Sequence, residues 1–110
     1  MKAPYFAVIF TSSLIDSNDP NYHQFSKLMD NEVQKTPGFL GKESYREDSG
    51  KGVTISYWES QKAIEHWKKN TQHLLAQRYG KDHAYSSYEL KICKVERAYK
   101  YSTLEGNQKK

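Results

Sequence analysis

The sequence is poor in cysteine and proline and has no long hydrophobic run. Its one cysteine, Cys93, excludes an intramolecular disulfide and a Cys-x-x-Cys metal site. The apolar run from Tyr5 to Phe10 is too short for a signal-peptide core and far short of the roughly 20 apolar residues that span a membrane. We therefore expect a cytoplasmic protein without a membrane segment.

Charge of one sign is not concentrated anywhere in the chain. Basic residues exceed acidic residues by 17 to 13, but both kinds are dispersed and no five like charges occur in succession. A basic arm of the kind that binds nucleic acid is therefore not predicted. The 110 residues suit one domain, and only 36% of them are apolar. Nine tyrosines, four phenylalanines and two tryptophans must supply much of a small core.

The spacing of apolar residues predicts six secondary-structure elements. They are strands at Tyr5–Phe10, Phe39–Arg46, Val53–Trp58 and Tyr85–Tyr99, a helix from the Asp19 cap to Thr36-Pro37-Gly38, and a helix from the Ser60 cap to Gly80. Asn70 and Thr71 are weak helix formers and are predicted to interrupt the second helix. A switch of apolar parity near Cys93 predicts a bulge in the last strand.

The order of these elements predicts an α+β fold of the ferredoxin-like split βαβ type. Such a fold has a four-stranded antiparallel sheet with both helices on one face. The domain is predicted to span residues 1–101, and residues 102–110 offer little to bury and are predicted to form a disordered polar tail. The second sheet face needs a cover, and we expect Trp58 and several strand tyrosines to point to it. A partner subunit's sheet would supply the cover, which predicts a homodimer.

Two patterns point to other functions, but their details disfavour them. Lys51-Gly52 opens a strand like that of RNA-recognition modules, yet Val53 and Ile55 stand where base-stacking aromatics are needed. His66 and His73 would lie about 10.5 Å apart along a helix axis. That separation is too large for one metal ion with ligand bonds of about 2 Å. We predict neither a nucleic-acid partner nor a metal site.

If the domain has a pocket, the segment from Val53 to Gln77 should form its wall. Trp67 is the candidate substrate-binding residue, with its body packed in the core and its indole edge facing a cavity between helix and sheet. The alternative is that Trp67 is an ordinary core aromatic. Asn70 and His73 follow on the next turns and are the candidate catalytic residues. A histidine titrates near neutral pH and suits a general base, with a helix-capping or solvent-facing role as the alternative for His73.

Four short motifs carry a resemblance to a known family. They are Pro37–Gly41, Ser56–Ser60, Ala63-Ile64 with Trp67, and Val95–Tyr99. In these motifs the chain resembles the antibiotic biosynthesis monooxygenase (ABM) domain family of the dimeric α+β barrel superfamily, and in particular its small uncharacterised bacterial members. The resemblance covers about residues 5–101 and implies both the fold and dimerisation through the sheet.

The resemblance also implies a choice between two activities. Some members oxidise quinol-type substrates with O₂ without metal or flavin, since the substrate supplies the electrons; others degrade haem with an Asn–Trp–His set. Trp67 falls on the family tryptophan, but Gln77 occupies the position of the iron ligand. The asparagine of the first strand corresponds most nearly to Thr11 or Ser12. Haem degradation is therefore disfavoured, unless another histidine substitutes from a shifted position.

The expected function is that of a cofactor-independent monooxygenase, which acts with O₂ on a small electron-rich aromatic or quinol-type substrate. The alternative is a non-catalytic dimeric protein that binds small molecules or serves in a stress response. No cofactor is expected in either case.

Overall fold

The structure, a computed structural model, describes residues 2–78 and 85–103, with side chains described for residues 2–71 and 85–103. Its elements in chain order are β1 (Tyr5–Leu14), α1 (Pro20–Gln34), β2 (Phe39–Arg46), β3 (Lys51–Trp58), α2 (Gln61–Arg78) and β4 (Tyr85–Val95). The strands form one sheet in the order β2-β3-β1-β4, and all neighbouring strands are antiparallel. The predicted α+β ferredoxin-like fold is confirmed.

Both helices begin at the predicted cap residues. The Asp19 carboxylate accepts a hydrogen bond from the Asn21 backbone N–H at 2.9 Å, and the Ser60 hydroxyl accepts one from the Ala63 N–H at 3.1 Å. Between α1 and β2 the chain passes close to α2 at Gly38, which has a φ of 89°. A Cβ at Gly38 would lie 2.6 Å from the Ala63 Cβ, so only glycine fits this crossing.

The register of the sheet divides its side chains between a helix-facing side and an outer side. On the helix-facing side, Phe6, Val8 and Phe10 of β1 lie opposite Trp58, Ser56 and Thr54 of β3. On the outer side, Ala7 and Ile9 of β1 lie opposite Tyr57 and Ile55. The alternation is that of any strand pair, since successive side chains point to opposite faces.

Trp58 lies on the helix-facing side and is fully buried, so its predicted position on the outer face is wrong. It packs in one cluster with Val33 of α1 and Ile64 of α2. Its indole N–H donates a hydrogen bond to the Ser56 hydroxyl at 2.8 Å. Trp58 ends β3, and the short connection that follows turns α2 back over it, which is why the indole is covered by helices.

Two predictions about the later elements are also wrong. Helix α2 continues through Asn70 and Thr71, and the Thr71 hydroxyl donates to the Trp67 carbonyl at 2.8 Å, a contact that a residue inside a helix can make. Strand β4 ends at Val95, and its pairing with β1 runs without a bulge past Cys93. The register shift lies instead between Ser13 and Leu14 of β1, at the other end of the pair.

The apolar residues of β4 change from one face of the strand to the other near Cys93, although the strand has no bulge there. Leu90 and Ile92 lie on the helix-facing side, and Cys93 lies on the outer side, where it is exposed. Both faces of this strand therefore carry apolar groups.

Residues 104–110 of the predicted tail lie outside the described part of the chain, and so does Gly80, the predicted end of α2. The domain boundary at residue 101 stays a prediction. No helix among the described residues is long and apolar enough to cross a membrane.

The hydrogen bond beneath Trp58 makes a measurable contribution to stability. We expect Ser56→Ala to lower the free energy of unfolding by about 1–3 kcal/mol, because it leaves a buried indole N–H without an acceptor. The matched control is Ser49→Ala in the exposed β2–β3 turn, expected to change stability by less than about 0.5 kcal/mol. Urea unfolding followed by circular dichroism measures both, and equal midpoints for the two variants would contradict this role of Ser56.

Candidate functional site

Two separate clusters of buried side chains hold the helices to the sheet. One cluster contains Trp58, Val33 and Ile64, with Phe6 of β1 packed against it. The other contains Leu14 and Tyr22, with Tyr85 packed against it. Phe6 and Leu14 are eight residues apart on β1, a separation of about 26 Å. A gap in the packing between helices and sheet therefore lies between the two clusters.

That gap is a cavity of about 480 Å³. Its volume lies within the range of roughly 300–1,000 Å³ that is typical of small-molecule sites. Apolar and aromatic side chains from both helices and two strands, β1 and β4, make up much of the wall: Val8, Phe10, Tyr22, Phe25, Met29, Val33, Ile64, Trp67, Tyr85, Tyr88, Leu90 and Ile92. Leu90 and Ile92 are about half exposed, so the cavity opens to solvent along β4.

Trp67 lines the cavity at the end near Trp58. Its ring stacks on Trp58 with centroids 6.4 Å apart and an angle of 29° between the ring planes. Because Trp58 is fully buried and Trp67 is half-buried, one tryptophan serves as a rigid base and the other faces the open space. Trp67 therefore lies beside a cavity between helix and sheet, as the first of the two predictions for it expected.

The structure describes the side chain of only one of the two candidate catalytic residues. Asn70 lies on α2, half-buried, and is not among the residues that line the cavity. His73 lies on α2 two residues after Thr71, which does line the cavity, but the side chain of His73 lies outside the described part of the chain. The side chain of Gln77 lies outside it as well. Thr11 is exposed on the outer side of the sheet, whereas Ser12 is buried on the helix-facing side.

A polar group that the sequence did not single out lies at the other end of the cavity. The Arg46 side chain, at the end of β2, donates from Nη2 to the Ser12 hydroxyl at 2.8 Å and to the Tyr22 hydroxyl at 3.5 Å. Its Nη1 donates to the Gly50 carbonyl at 2.5 Å. The same carbonyl accepts the Leu14 N–H at 3.0 Å, so the β2–β3 turn fixes the guanidinium against β1.

Aromatic rings surround this guanidinium. Arg46 lies 5.7 Å from the centroid of the Tyr22 ring, within the range of a cation–π contact. Tyr85 packs edge-to-face on Tyr22 with centroids 5.8 Å apart. Burial raises the pKa of Tyr85 well above its usual value, with smaller contributions from the charge of Tyr22 and a hydrogen bond to it, while Arg46 lowers it. Tyr85 is therefore a neutral hydroxyl at physiological pH.

Charged side chains lie at the more exposed part of the cavity wall. Lys42 of β2 forms an ion pair with Asp30 of α1, and both side chains line the cavity while keeping part of their surface in water. Glu65 and Lys68 of α2 line it too and are exposed. The pair between Lys42 and Asp30 joins α1 to the edge strand, and its partial exposure limits what it adds to stability.

The sequence alone does not indicate that Arg46 and Tyr22 line a cavity. An arginine at the end of a polar strand looks like a surface charge, and Tyr22 looks like one member of an apolar helical stripe. The one available signal is spacing: Arg46, Ser44 and Lys42 are two residues apart and therefore lie on the same face of β2. Only the register of β2 against β3 shows that this parity faces the helices.

Comparison with known proteins gives a consistent result. The family model described as antibiotic biosynthesis monooxygenase matches residues 22–79. The uncharacterized protein YqjZ of Bacillus subtilis is 45% identical over 96 residues, which cover 87% of this chain and 83% of that protein. A protein of Pyricularia oryzae named jasmonate monooxygenase ABM is 28% identical over 92 residues, which cover 82% of this chain and 43% of that protein.

Solved structures share the fold at low sequence identity. SnoaB of Streptomyces nogalater, described as a cofactor-independent oxygenase, superimposes with a TM-score of 0.70 at 13% identity, covering 87% of this chain and 97% of SnoaB. PA3566 of Pseudomonas aeruginosa superimposes with a TM-score of 0.67 at 18% identity, covering 90% of this chain and 99% of PA3566. At these identities the likeness establishes the fold alone.

The two tryptophans should report the geometry of the cavity through their fluorescence. We expect Trp67→Phe, which leaves the buried Trp58, to give a blue-shifted emission that acrylamide quenches weakly. Trp58→Phe, which leaves Trp67 facing the cavity, should give an emission that acrylamide quenches several-fold more strongly. Equal quenching constants for two variants that retain the native circular dichroism would contradict an open cavity beside Trp67.

Proposed function

Since the chain belongs to the antibiotic biosynthesis monooxygenase family, we propose that it is a cofactor-independent monooxygenase. In this proposal it acts with O₂ on a small electron-rich aromatic or quinol-type substrate. The observation that carries the proposal is the cavity of about 480 Å³ between helices and sheet, walled largely by aromatic and aliphatic side chains. A flat aromatic molecule suits such a wall, because ring faces and edges pack well against it.

The proposed reaction needs no electron donor other than the substrate. A ring CH₂ activated by a neighbouring oxygen loses a proton to a base, and the resulting carbanion gives electrons to O₂ and forms a C–O bond. The peroxide then loses water as its O–O bond breaks, and a carbonyl remains. In balance, one CH₂ and one O₂ become one C=O and one H₂O. The protein's part is to bind the ring, support the proton transfer and hold bulk water away from the carbanion.

Three residues are proposed to carry these tasks. Trp67 packs against the substrate ring, a role supported by its half-buried position on the cavity wall. His73 is the candidate base, since a histidine exchanges protons near neutral pH and this one follows Thr71 on α2. Asn70 is the candidate hydrogen-bond donor to a phenolic oxygen; it does not line the cavity, so in this role it would need a different rotamer or a substrate that extends past the wall.

Two relatives support oxygenase chemistry for this fold and sequence family. One is named a jasmonate monooxygenase and the other is described as a cofactor-independent oxygenase. The chain spans only 43% of the former protein, so that protein's substrate is not transferred to this one. The competing function is that of a non-catalytic binding or stress protein, which would use the same cavity to hold a ligand without turnover.

We also propose that the protein is a homodimer that associates through the outer side of the sheet. No described helix packs on this side, where Val53, Ile55 and Tyr57 are only half-buried and Tyr45 is 62% exposed. An apolar sheet face of this kind is normally covered.

The polar groups on the outer side are already paired with one another. Glu43 accepts hydrogen bonds from the Tyr57 hydroxyl at 2.6 Å and the Tyr45 hydroxyl at 3.0 Å. These bonds lower the pKa of Glu43, and the bond to Glu43 raises the pKa of Tyr57 to about 12. The carboxylate is therefore satisfied within one chain, which reduces the cost of covering it with a second copy.

Oxygen consumption tests the proposed activity. With anthrone-like and quinol substrates in air, we expect uptake of one O₂ per substrate by the purified protein without added metal or flavin. Trp67→Phe should lower kcat/KM by about tenfold or more, because a poorly positioned ring loses its alignment with the base. The control is Tyr99→Phe, a similar truncation at a residue that is 87% exposed and outside the cavity.

The other outcomes of that experiment distinguish the competing functions. Binding of the substrates without oxygen uptake would contradict the oxygenase proposal and favour the binding protein. Haem added in place of these substrates should leave the Soret band at the position of free haem. A shifted Soret band that bleaches under reductant would contradict the proposal in favour of haem degradation.

Association through the outer side of the sheet is tested by moving a charge onto it. We expect the protein to be a dimer by light scattering at micromolar concentration, and Ile55→Lys to make it a monomer. Ile15→Lys is the matched control, since Ile15 is 60% exposed just after β1 and lies outside the proposed interface. A monomeric wild-type protein, or a dimeric Ile55→Lys variant, would contradict the proposal.

A further inference from the structure

We infer that Arg46 is an anion-binding residue of the cavity, and that the natural ligand carries a carboxylate at one end of an apolar ring system. The inference rests on the proposed function in taking the cavity as the ligand site, and it adds the chemical class of the ligand. It starts from Arg46, the one guanidinium among the described side chains that lines an otherwise largely apolar and aromatic space.

The guanidinium is held in place before any ligand arrives. The Gly50 carbonyl fixes one terminal nitrogen and the Ser12 hydroxyl fixes the other, at 2.5 and 2.8 Å. Gly50 itself has a φ of 101°, and a Cβ there would lie 3.0 Å from the Leu14 carbonyl oxygen, so the turn that presents its carbonyl requires glycine. A charged group fixed in this way binds a ligand with little loss of side-chain entropy.

The positive charge of Arg46 has no counter-ion among the described residues. The ion pairs of the described chain join Lys35 to Glu32, Lys42 to Asp30 and Lys91 to Glu89. The partners of Arg46 are a carbonyl and two hydroxyls, all neutral oxygens. A half-buried cation with only neutral partners is a favourable position for an anion, because a charge-assisted hydrogen bond gains strength where water is partly excluded.

The chemistry of the site favours a carboxylate over a phosphate. The guanidinium has more N–H donors than its present contacts use, and its planar fork matches the two oxygens of a carboxylate. Among the described residues, the charged side chains that line the cavity are three cations, Arg46, Lys42 and Lys68, and two anions, Asp30 and Glu65. Three cations less two anions leave a net charge of +1, which balances a monoanion, whereas a dianionic phosphate would leave excess negative charge. The Tyr22 hydroxyl lies beside the same guanidinium and adds a polar contact, and Tyr85 packs against the Tyr22 ring.

The distance along the cavity sets the shape of the ligand. Arg46 is anchored at Ser12 of β1, and Trp67 stacks on Trp58, which pairs with Phe6 of the same strand. Ser12 and Phe6 are six residues apart, about 20 Å along the strand. These two backbone positions lie behind Arg46 and Trp67, so a ligand that contacts both residues is elongated, with its apolar ring toward Trp67 and its carboxylate toward Arg46.

A pair of probes that differ only in charge tests the inference. The probes are 2-naphthoate and 2-naphthamide, which are shorter than this span and therefore test the Arg46 end of the cavity. They are titrated calorimetrically into the wild-type protein and into Arg46→Gln, Arg46→Lys and Arg97→Gln. We expect the wild-type protein to bind the naphthoate at least about tenfold more tightly than the amide. Arg46→Gln should abolish that preference while leaving the affinity for the amide within about twofold. Arg46→Lys should retain only part of it.

The exposed Arg97 lies outside the cavity, so Arg97→Gln removes the same charge and should keep the full preference. A wild-type protein that binds amide and naphthoate equally would overturn the inference without any variant. A preference that survives in both Arg46 variants would overturn it as well. If Arg46→Gln fails to fold, the inference is still tested by the preference of the wild-type protein for the naphthoate and by the partial loss of that preference in Arg46→Lys.

The same titrations separate this inference from the proposed function. Equal binding of both probes by the wild-type protein leaves the cavity as an aromatic site and rejects only the role of Arg46. No binding of either probe would reject the cavity as an aromatic site and would overturn both proposals.

Discussion

The packing of Trp58 against both helices is the contact on which the rest of the structure depends. Its indole is fully buried at the end of β3, in one cluster with Val33 of α1 and Ile64 of α2, and its N–H is satisfied by Ser56. This contact draws the helices onto the sheet at one end. A second and smaller cluster around Tyr22 holds α1 to the sheet at the other end. Because neither cluster fills the span between them, the fold contains a cavity as a consequence of how it is held together.

The two ends of that cavity differ in chemistry. At one end a half-buried tryptophan is backed by a rigid one, which provides an apolar surface for a ring. At the other end Arg46 is fixed by a turn carbonyl and a serine hydroxyl and lies against the Tyr22 ring. Such an arrangement orients a ligand as well as binding it. Orientation is what a cofactor-independent oxidation requires of a protein, since the substrate itself supplies the electrons.

The sequence predicted the order of elements, the helix caps at Asp19 and Ser60, and the position of Trp67 between helix and sheet. These features depend on local spacing and on capping chemistry, which the sequence carries directly. It did not predict the side of the sheet that Trp58 occupies or the presence of Arg46 in the cavity. Both depend on how strands pair and on where α2 turns back, and these are tertiary properties. Thr71 differs, because its hydroxyl makes a local bond within the helix that its low propensity was expected to break.

The central claim is that an elongated aromatic ligand lies between Trp67 and Arg46. A crystal structure of the protein soaked with an aryl-alkanoate long enough to reach from Trp67 to Arg46 tests it most directly. We expect electron density for the ring against Trp67, inside the cavity between helices and sheet, with the carboxylate within hydrogen-bonding distance of Arg46. Density on the outer side of the sheet, or a ring inside the cavity with its carboxylate turned away from Arg46, would contradict it.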